Sequence, residues 1–333
     1  NSLCAMAIRD LGHEAVSLTG SQAGIVTDTS HAKAKIVEVR ARRLHEELDR
    51  DRVVVVAGFQ GVSTEYEVTT LGRGGSDATA VALAAALGGA CEIYTDVDGV
   101  YTTDPRIEER ARRLARVSYE EMLEMASLGA KVLQTRSVEL AMARRVPVRV
   151  LSSFVEPGEA GNAGTLVCDE EEIVEKRIVS GVAYSRDEAK ITLYGLPDHP
   201  GVSARIFGQL ADANVNVDMI VQSHARHANV ANMEFTVGKR DAARTVEIVE
   251  TASREIGFEG VALDDNVAKI SVIGVGMRSH TGVAQTMFKA LAEKGVNIQV
   301  ISTSEIKISV LIDAAYTELA VRALHAAYGL DQA

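Results

Sequence analysis

The stretch TTLGRGGSDATAVALAAALGG, residues 69–89, places an arginine, two paired glycines, a serine and an aspartate directly before a run of alanine and leucine. Alanine and leucine lose little side-chain freedom in a helix, so residues 77–87 are predicted to be helical. Ser76 or Asp77 is expected to cap the first turn, because short polar side chains accept from the free N–H groups there. The glycine pair at 88–89 is expected to end the helix.

The glycines before this helix let the backbone approach another group closely and leave N–H groups pointing outward. A helix N-terminus with unpaired N–H groups binds anions, and the planar guanidinium of Arg73 suits a carboxylate or a phosphate. Two interpretations stay open from this stretch alone. It is either an anion-binding turn or a capped helix after a glycine turn, with Arg73 in solvent.

Apolar, β-rich runs alternate with helical patterns on both sides of this stretch. Near-continuous valine, as in VVVVA, indicates strands buried on both faces, and the alternation predicts an α/β fold with a mostly parallel sheet and helices on both faces. Ligands of such sheets bind beyond the carboxyl ends of the strands, where GFQG and TDVDGVYTTDPR follow. The predicted strands are 14–20, 52–61, 91–100, 147–154 and 164–168, and the predicted helices are 33–48, 77–87, 118–127 and 134–145, with an amphipathic helical pattern from Asn1.

The composition excludes several classes of protein. The 333 residues, 47% of them hydrophobic, predict two or three domains with packed cores. The net charge of −11 argues against nucleic acid or an anionic membrane as a partner, and no apolar run approaches the length of a membrane span. Three cysteines without a CxxC motif indicate a reducing, cytoplasmic location and no structural zinc. His224 and His227 are interpreted as part of a polar loop, so no metal site is expected.

The second half of the chain contains an internal repeat. KITLYGLPDHPGVSARIFGQLADANVNVDMI begins at Lys190, and KISVIGVGMRSHTGVAQTMFKALAEKGVNIQVI begins at Lys269, 79 residues later. From Val202 and Val283 onward the offset is 81, so the second copy carries two extra residues. Each copy predicts a βαββαβ unit, which favours a paired ligand sensor over a catalytic site, with an inert tandem scaffold as the alternative. The acidic stretch before the first copy is interpreted as a linker.

The order of the longer motifs resembles the aspartate kinase (aspartokinase) family. GFQG, TTLGRGGSD, CEIYTDVDGVYTTDPR and GAKVLQTRSVELA follow one another and precede the doubled module, which is similar to tandem ACT domains. The bacterial αβ type, controlled by lysine and threonine, is the most similar variant. The resemblance implies an amino acid kinase domain over residues 1–168, a linker over 169–187, and ACT domains over 188–265 and 266–333.

The resemblance implies that ATP phosphorylates the side-chain carboxylate of L-aspartate to 4-phospho-L-aspartate, the first step of lysine, threonine and methionine biosynthesis. Two anions must meet, so positioning and charge neutralisation are expected to dominate catalysis. Arg73 would clamp a substrate carboxylate, and Asp77 would orient a lysine near the reaction centre. The implied substrate-binding residues are Thr70, Arg73, Gly74, Gly75 and Ser76.

The resemblance also implies a nucleotide site. Asp96, Asp98 and Asp104 would repel ATP without cations, so Mg²⁺ is expected with the nucleotide. For Asp98, Asp104 and Arg106, plain turn chemistry stays open as the alternative. The implied ATP-binding residues are Thr95, Asp96, Tyr101, Arg106, Lys131 and Val132.

In the repeats, LPDHPGV and MRSHTGV each place a glycine loop at a helix N-terminus, where an amino acid carboxylate can bind. The resemblance implies an effector site for threonine and/or lysine, with Asp198 taking the ammonium group and Gln222, Asn297 and the backbone at Ile298 completing it. Ser223 stands where the family usually has asparagine, which leaves the first-site effector open. Repeats of two chains are expected to pack side by side, in a homodimer or in a hetero-oligomer with a short regulatory subunit.

One family segment, K-[FY]-G-G-[ST]-S, is not found in these residues, and the chain opens directly in a helical pattern at Asn1. Because the lysine and glycines of that segment hold phosphates in the family, residues 1–333 alone are expected to have little or no kinase activity. Another amino acid kinase and an amino-acid-binding regulatory subunit are the alternative functions.

Overall fold

The computed structural model describes residues 1–129, 132–155, 163–173, 177–224 and 230–332. These residues form two compact units. The first unit comprises residues 1–101 and 113–176, and the second comprises residues 102–112 and 177–333. No helix of the described part is both long enough and apolar enough to cross a membrane.

The first unit alternates strands and helices along the chain. Its elements are α1 (Ser2–Asp10), β1 (Ala15–Leu18), β2 (Ile25–Thr27), β3 (Ile36–Val39), α2 (Arg42–Leu48), β4 (Val53–Val56), β5 (Gln60–Ser63), β6 (Val68–Thr70), α3 (Gly75–Leu87), β7 (Cys91–Thr95), β8 (Arg116–Ser118), α4 (Tyr119–Ser127), α5 (Thr135–Arg144), β9 (Val148–Ser152) and β10 (Thr165–Cys168).

These strands form three sheets, in the orders β1-β4, β3-β2-β5-β6 and β7-β9-β10-β8. The pairs β1–β4, β2–β5, β7–β9 and β8–β10 are parallel, whereas β2–β3, β5–β6 and β9–β10 are antiparallel. The predicted α/β class is confirmed. The sequence predicts a mostly parallel sheet, and four of the seven described strand pairs are parallel. The antiparallel pair β5–β6 is a hairpin that turns at Tyr66, whose φ is 66°. These two strands are not predicted from the sequence, because they contain no continuous apolar run.

Two sequence predictions are wrong in part. Residues 36–39, predicted as helix, form β3, because the β-branched Ile36 and Val39 pair with β2. The helix over the rest of that range begins only at Arg42. The helix α3 begins at Gly75, two residues early, and no side chain caps it. Gly74, in the left-handed conformation, takes the N-cap position instead.

The second unit carries the repeat. Its elements are β11 (Gly181–Pro197), α6 (Val202–Asp212), β12 (Val217–His224), β13 (Val230–Val237), α7 (Ala242–Ile256), β14 (Gly260–Ile273), α8 (Val283–Glu293), β15 (Val300–Thr303), β16 (Lys307–Asp313) and α9 (Thr317–Ala327). One six-stranded antiparallel sheet runs in the order β12-β13-β11-β14-β16-β15.

The long strands β11 and β14 each belong to both repeats. The C-terminal half of β11 pairs with β13, and the N-terminal half, Gly181–Ser185, pairs with Ile273–Lys269 of β14. The fourth strand of the second repeat therefore precedes the first repeat in the chain. This corrects the expected linker over 169–187, because residues 181–187 are strand, and it corrects the expectation that 266–333 holds a complete βαββαβ unit.

Each repeat has a core of its own beneath this sheet. The first core includes Ile191, Ile206, Leu210 and Phe235, and the second includes Ile270, Met287, Leu291 and Val310. The helices α6 and α8 both have 11 residues and both begin on a valine after a left-handed glycine. The predicted offset of 81 residues between the two copies is confirmed by these helices.

The segment 102–112 belongs to the second unit although its flanks belong to the first. The Thr102 carbonyl accepts from Val182 N–H at 2.8 Å, and Thr102 Oγ1 lies 2.9 Å from Nε2 of the fully buried His325. Arg110 Nη1 donates to Asp331 at 2.9 Å. These contacts fasten the segment to β11 and α9.

Candidate functional site

The quoted glycine stretch forms a turn between β6 and α3, which we call the anion turn (residues 71–77). Gly72 and Gly74 have φ values of 78° and 71°, which glycine adopts without strain. A Cβ at Gly74 would overlap the Gln134 side chain, and a Cβ at Gly75 would lie 2.7 Å from Leu71 Cβ. Both paired glycines are therefore required. Gly74 is required by its left-handed backbone and by the close Gln134 side chain, and Gly75 is required by the close Leu71 side chain.

The GFQG loop after β4 lies against the anion turn. A Cβ at Gly58 would lie 3.3 Å from Ser76 Cα. The N–H of Phe59 donates to Thr79 Oγ1 at 3.2 Å, and the Phe59 carbonyl accepts from Leu71 N–H at 2.9 Å. The GFQG loop and the anion turn are thus in contact.

The anion turn presents cationic and N–H groups to solvent. Arg73 and Ser76 are exposed. Within the described ranges, no hydrogen bond or ion pair joins the Arg73 guanidinium to another residue, and the N–H groups of Ser76 and Asp77 meet no acceptor. Free N–H groups at the start of a 13-residue helix, beside a free guanidinium, can bind a carboxylate or a phosphate.

Asp77 is half-buried in the first turn of α3. Burial raises the pKa of its carboxyl, while the Ser76 hydroxyl and the backbone amide of Gln134 act against that rise. The Ser76 Oγ to Asp77 Oδ1 distance is 3.4 Å. A carboxylate that is partly withdrawn from water attracts a cation strongly, so Asp77 is suited to orient a positively charged group.

The second polar loop follows β7. Thr95 Oγ1 donates to Asp96 Oδ1 at 3.1 Å, and the Asp96 side chain is exposed. Asp98 accepts from the Tyr101 hydroxyl at 3.0 Å and pairs with Arg113 at 3.2 Å. Thr95, Asp96 and Tyr101 are therefore brought into one loop, which we call the TD loop (residues 95–101).

The TD loop is fixed by a residue that sequence reasoning missed. Thr165 Oγ1, at the start of β10, accepts from Val100 N–H at 2.8 Å and donates to the Leu114 carbonyl at 2.6 Å. A Cβ at Gly99 would lie 2.6 Å from Thr165 Oγ1. The only local signal was the polar residue opening the short strand TLVC.

The remaining predicted nucleotide contacts are Arg106, Lys131 and Val132. Arg106 lies in the second unit, where its N–H and its guanidinium both bind Asp104, which also accepts from the Tyr184 hydroxyl. The Asp104 pKa is lowered, chiefly by Arg106. These are the contacts that the turn interpretation predicts. Lys131 lies outside the described residues, and Val132 is half-buried.

Two further residues support the anion turn from α5. Gln134 lies against Gly74, as described above. Arg136 Nη1 donates to the Leu71 carbonyl at 2.9 Å, and its Nη2 donates to the Ala34 carbonyl at 2.6 Å. In the motif VLQTRSVELA, Gln134 and Arg136 are residues typical of a helix start, so the motif shows no sign of their contacts with the anion turn.

In the second unit, both glycine loops end on a glycine in the left-handed conformation. Gly201 and Gly282 have φ values of 97° and 89° and precede α6 and α8. Asp198 is exposed in the first loop. The exposed Gln222, on β12, accepts from Ser203 at 3.4 Å at the start of α6, so it is near that loop. Asn297 and Ile298 lie in the other repeat, before β15, and the described contacts do not join them to Asp198 or Gln222.

Family models match most of the chain. The amino acid kinase family matches residues 1–152, and the ACT domain matches residues 191–252 and 270–328. The chain is 54% identical over 332 residues to the aspartate kinase Ask_LysC of Stutzerimonas stutzeri, covering 99% of this chain and 79% of that protein. It is 55% identical over 333 residues to the aspartokinase of Pseudomonas aeruginosa, with the same coverage.

The structure is similar to two solved structures of Escherichia coli aspartokinase III, both 30% identical in sequence. The complex with aspartate and ADP, described as the R-state, has a TM-score of 0.81 and covers 98% of this chain and 72% of that chain. The complex with lysine and aspartate, described as the T-state, has a TM-score of 0.75 and covers 96% and 70%.

Proposed function

The chain belongs to the aspartokinase family and so to the phosphotransferases that use a carboxyl group as acceptor, and we propose that its anion turn binds L-aspartate while its TD loop binds ATP. The observation that carries this assignment is the contact between the GFQG loop and the anion turn, where Arg73 is exposed and two N–H groups are without an acceptor among the described residues. The aspartate and ADP found with the E. coli enzyme support these two ligands.

In this proposal Arg73 holds a substrate carboxylate through two parallel hydrogen bonds, and Thr70, Gly74, Gly75 and Ser76 complete the substrate site. The Thr70 side chain and N–H both bind the His31 carbonyl, so Thr70 shapes the approach to the turn. Asp77 orients a cationic group and does not act as a base, because the attacking carboxylate carries no proton to remove.

On the nucleotide side, Thr95, Asp96 and Tyr101 form the edge of the ATP site, and Arg106, Lys131 and Val132 are assigned to it by family resemblance. Mg²⁺ would neutralise phosphate charge when bound. The donor set fits a magnesium–ATP complex, because Asp96 offers an exposed carboxylate beside a hydroxyl. No group of three acidic, histidine or cysteine side chains converges within the described residues, so the phosphates would supply most ligands.

We also propose that the second unit binds an amino acid effector, threonine and/or lysine. Asp198 and Gln222 serve the first glycine loop, and Asn297 with Ile298 serves the second repeat. The lysine found with the E. coli enzyme supports this class of ligand.

Assembly completes the proposal. The edge strands β12 and β15 expose Ile220 and Ile301 at 52% and 44%, and these two residues are equivalent in the repeat. Exposed apolar side chains on edge strands favour pairing with a second chain. We propose a homodimer through the ACT repeats or a hetero-oligomer with a short regulatory subunit.

Calorimetry with Arg73→Met tests the substrate site. In the presence of a non-hydrolysable ATP analogue, aspartate affinity is expected to fall about 10- to 100-fold, as for the loss of hydrogen bonds to a charged group. Arg43→Met, an exposed arginine on α2, is the matched control. Equal aspartate affinity in Arg73→Met and the control would remove Arg73 from the site.

A further inference from the structure

Arg136 lies in the first turn of α5, next to the anion turn. Its side chain is half-buried, and its two terminal nitrogens donate to two backbone carbonyls, those of Leu71 and Ala34. No carboxylate of the described residues takes part in this arrangement. A half-buried cation that donates only to carbonyl groups holds backbone in place.

The two carbonyls come from neighbouring segments. Ala34 N–H donates to the Thr70 carbonyl at 3.0 Å, and Thr70 N–H donates to the His31 carbonyl at 2.8 Å. Arg136 therefore joins three pieces of backbone: the segment before β3, the end of β6 and the start of α5. A guanidinium fork can reach two carbonyls at once, whereas an ammonium group acts as a single point charge.

The anion turn needs such external support. Glycines at 72, 74 and 75 give it the right conformation but leave it with high conformational entropy when unrestrained. Its internal hydrogen bonds are few: Gly75 N–H to the Gly72 carbonyl at 3.0 Å and Ala78 N–H to the Gly74 carbonyl at 3.2 Å. Leu71, the residue that enters the turn, has its N–H fixed by Phe59 and its carbonyl fixed by Arg136.

We propose that Arg136 is a positioning residue for aspartate binding. Through the Leu71 carbonyl it fixes the turn that carries Arg73 and the free N–H groups of Ser76 and Asp77 in their anion-binding geometry. It touches neither substrate nor nucleotide. This inference rests on the proposed function of the anion turn as the aspartate site.

The test compares Arg136→Met and Arg136→Lys with Arg144→Met, a matched control in which an exposed arginine of the same helix is changed. Amide hydrogen exchange at Leu71, Gly75 and Ala78, whose N–H groups are hydrogen-bonded, is expected to be about tenfold faster in Arg136→Met, as for the loss of one charge-assisted hydrogen bond. Exchange over the second half of α3 is expected to stay unchanged. Arg136→Lys, which can keep one of the two bonds, is expected to lie between Arg136→Met and the unchanged protein, and it serves as the readout if Arg136→Met does not fold.

Calorimetry on the same proteins supplies the second readout. Aspartate affinity is expected to fall about tenfold in Arg136→Met while affinity for an ATP analogue is retained. Unchanged exchange in the turn, or equal losses of both affinities with faster exchange throughout the first unit, would overturn the positioning role. If Arg73→Met also leaves aspartate affinity unchanged, the proposed aspartate site itself fails. If only Arg136→Met is without effect, the site stands and this inference fails.

Discussion

Gly74, before α3, must be glycine both for its backbone conformation and for lack of space, whereas Gly88, after α3, must be glycine for its backbone conformation alone. Gly74 and Gly88 have φ values of 71° and 68°. A Cβ at Gly74 would overlap Gln134, whereas a Cβ at Gly88 would meet nothing within 4 Å. The pair therefore separates the cost of a left-handed backbone from the cost of a steric overlap.

Gly74→Ala is expected to destabilise the protein more than Gly88→Ala does. Each alanine costs about 1 kcal/mol for the left-handed conformation, and the overlap with Gln134 adds about 1–3 kcal/mol at Gly74 alone. Chemical denaturation of both variants measures the difference. Equal losses of unfolding free energy would show that Gln134 moves aside freely.

At this scale, the sequence predicts the residues of the anion turn but not their supports. Arg73, Gly74 and Gly75 stand together in one string, so local rules on glycine and helix N-termini suffice. Arg136 reaches the Leu71 carbonyl across 65 positions, and Thr165 reaches Val100 N–H across 65. A contact between residues so far apart in the chain produces no periodicity or spacing that can be recognised in a single sequence.

Among the elements, β11 and β14 carry equivalent lysines that cross between the repeats. Lys269 Nζ lies 2.7 Å from Glu188 Oε1 and 2.7 Å from Asp218 Oδ2. Lys190 Nζ donates to Gln299 Oε1 at 2.7 Å. The two acceptors on the opposite repeat, Asp218 and Gln299, are also equivalent, because they lie 81 residues apart. The two lysine contacts therefore differ mainly in the charge of the acceptor.

Lys269→Met is expected to lower the free energy of unfolding by about 3 kcal/mol, because it leaves Glu188, which is 7% exposed, buried without a counter-charge. Lys190→Met, the matched control, is expected to cost about 1 kcal/mol because it leaves a neutral amide. Urea denaturation at neutral pH measures both. A Lys190→Met loss as large as that of Lys269→Met would contradict the assignment of the cost to charge.

The same contact fixes the sign of a pH effect. Burial raises the pKa of Asp218, but Lys269, the Met219 N–H and Lys307 together lower it by more, so the pKa lies below the ordinary 3.8. A carboxyl whose pKa is lowered on folding stabilises the folded state above its ordinary pKa, and the contribution is lost as the pH falls through the lowered value. The Tm difference between the protein and Asp218→Asn is thus expected to be full near neutral pH and to shrink as the pH falls below about 4.

At the scale of the whole molecule, the two repeats are interlocked because each long strand serves both. The N–H of Val182 points to Thr102, so by strand alternation the N–H of Ala183 points to β14. Sequence reasoning found both copies and their offset. Sequence reasoning did not find that β11 serves both repeats. Each half of β11 has the pattern of an ordinary strand, and the pattern does not show which strand it pairs with.

Ala183→Pro is expected to weaken the second repeat selectively, because proline removes a ladder hydrogen bond to β14. Hydrogen exchange should become faster in β16 and in residues 267–273 of β14, while β13 keeps its protection. Uniform loss of protection across β13 and β16 would show that the interlocked sheet opens only as one piece.

Because residues 102–112 belong to the second unit, the two units are connected by more than one stretch of chain. The chain passes from one unit to the other three times, after Tyr101, after Arg112 and after residue 176. A single proteolytic nick between β10 and β11 would therefore leave residues 177–333 noncovalently attached to residues 102–112, which two peptide bonds still join to the first unit. A polypeptide begun at residue 177 would likewise lack the piece that Val182 and His325 bind.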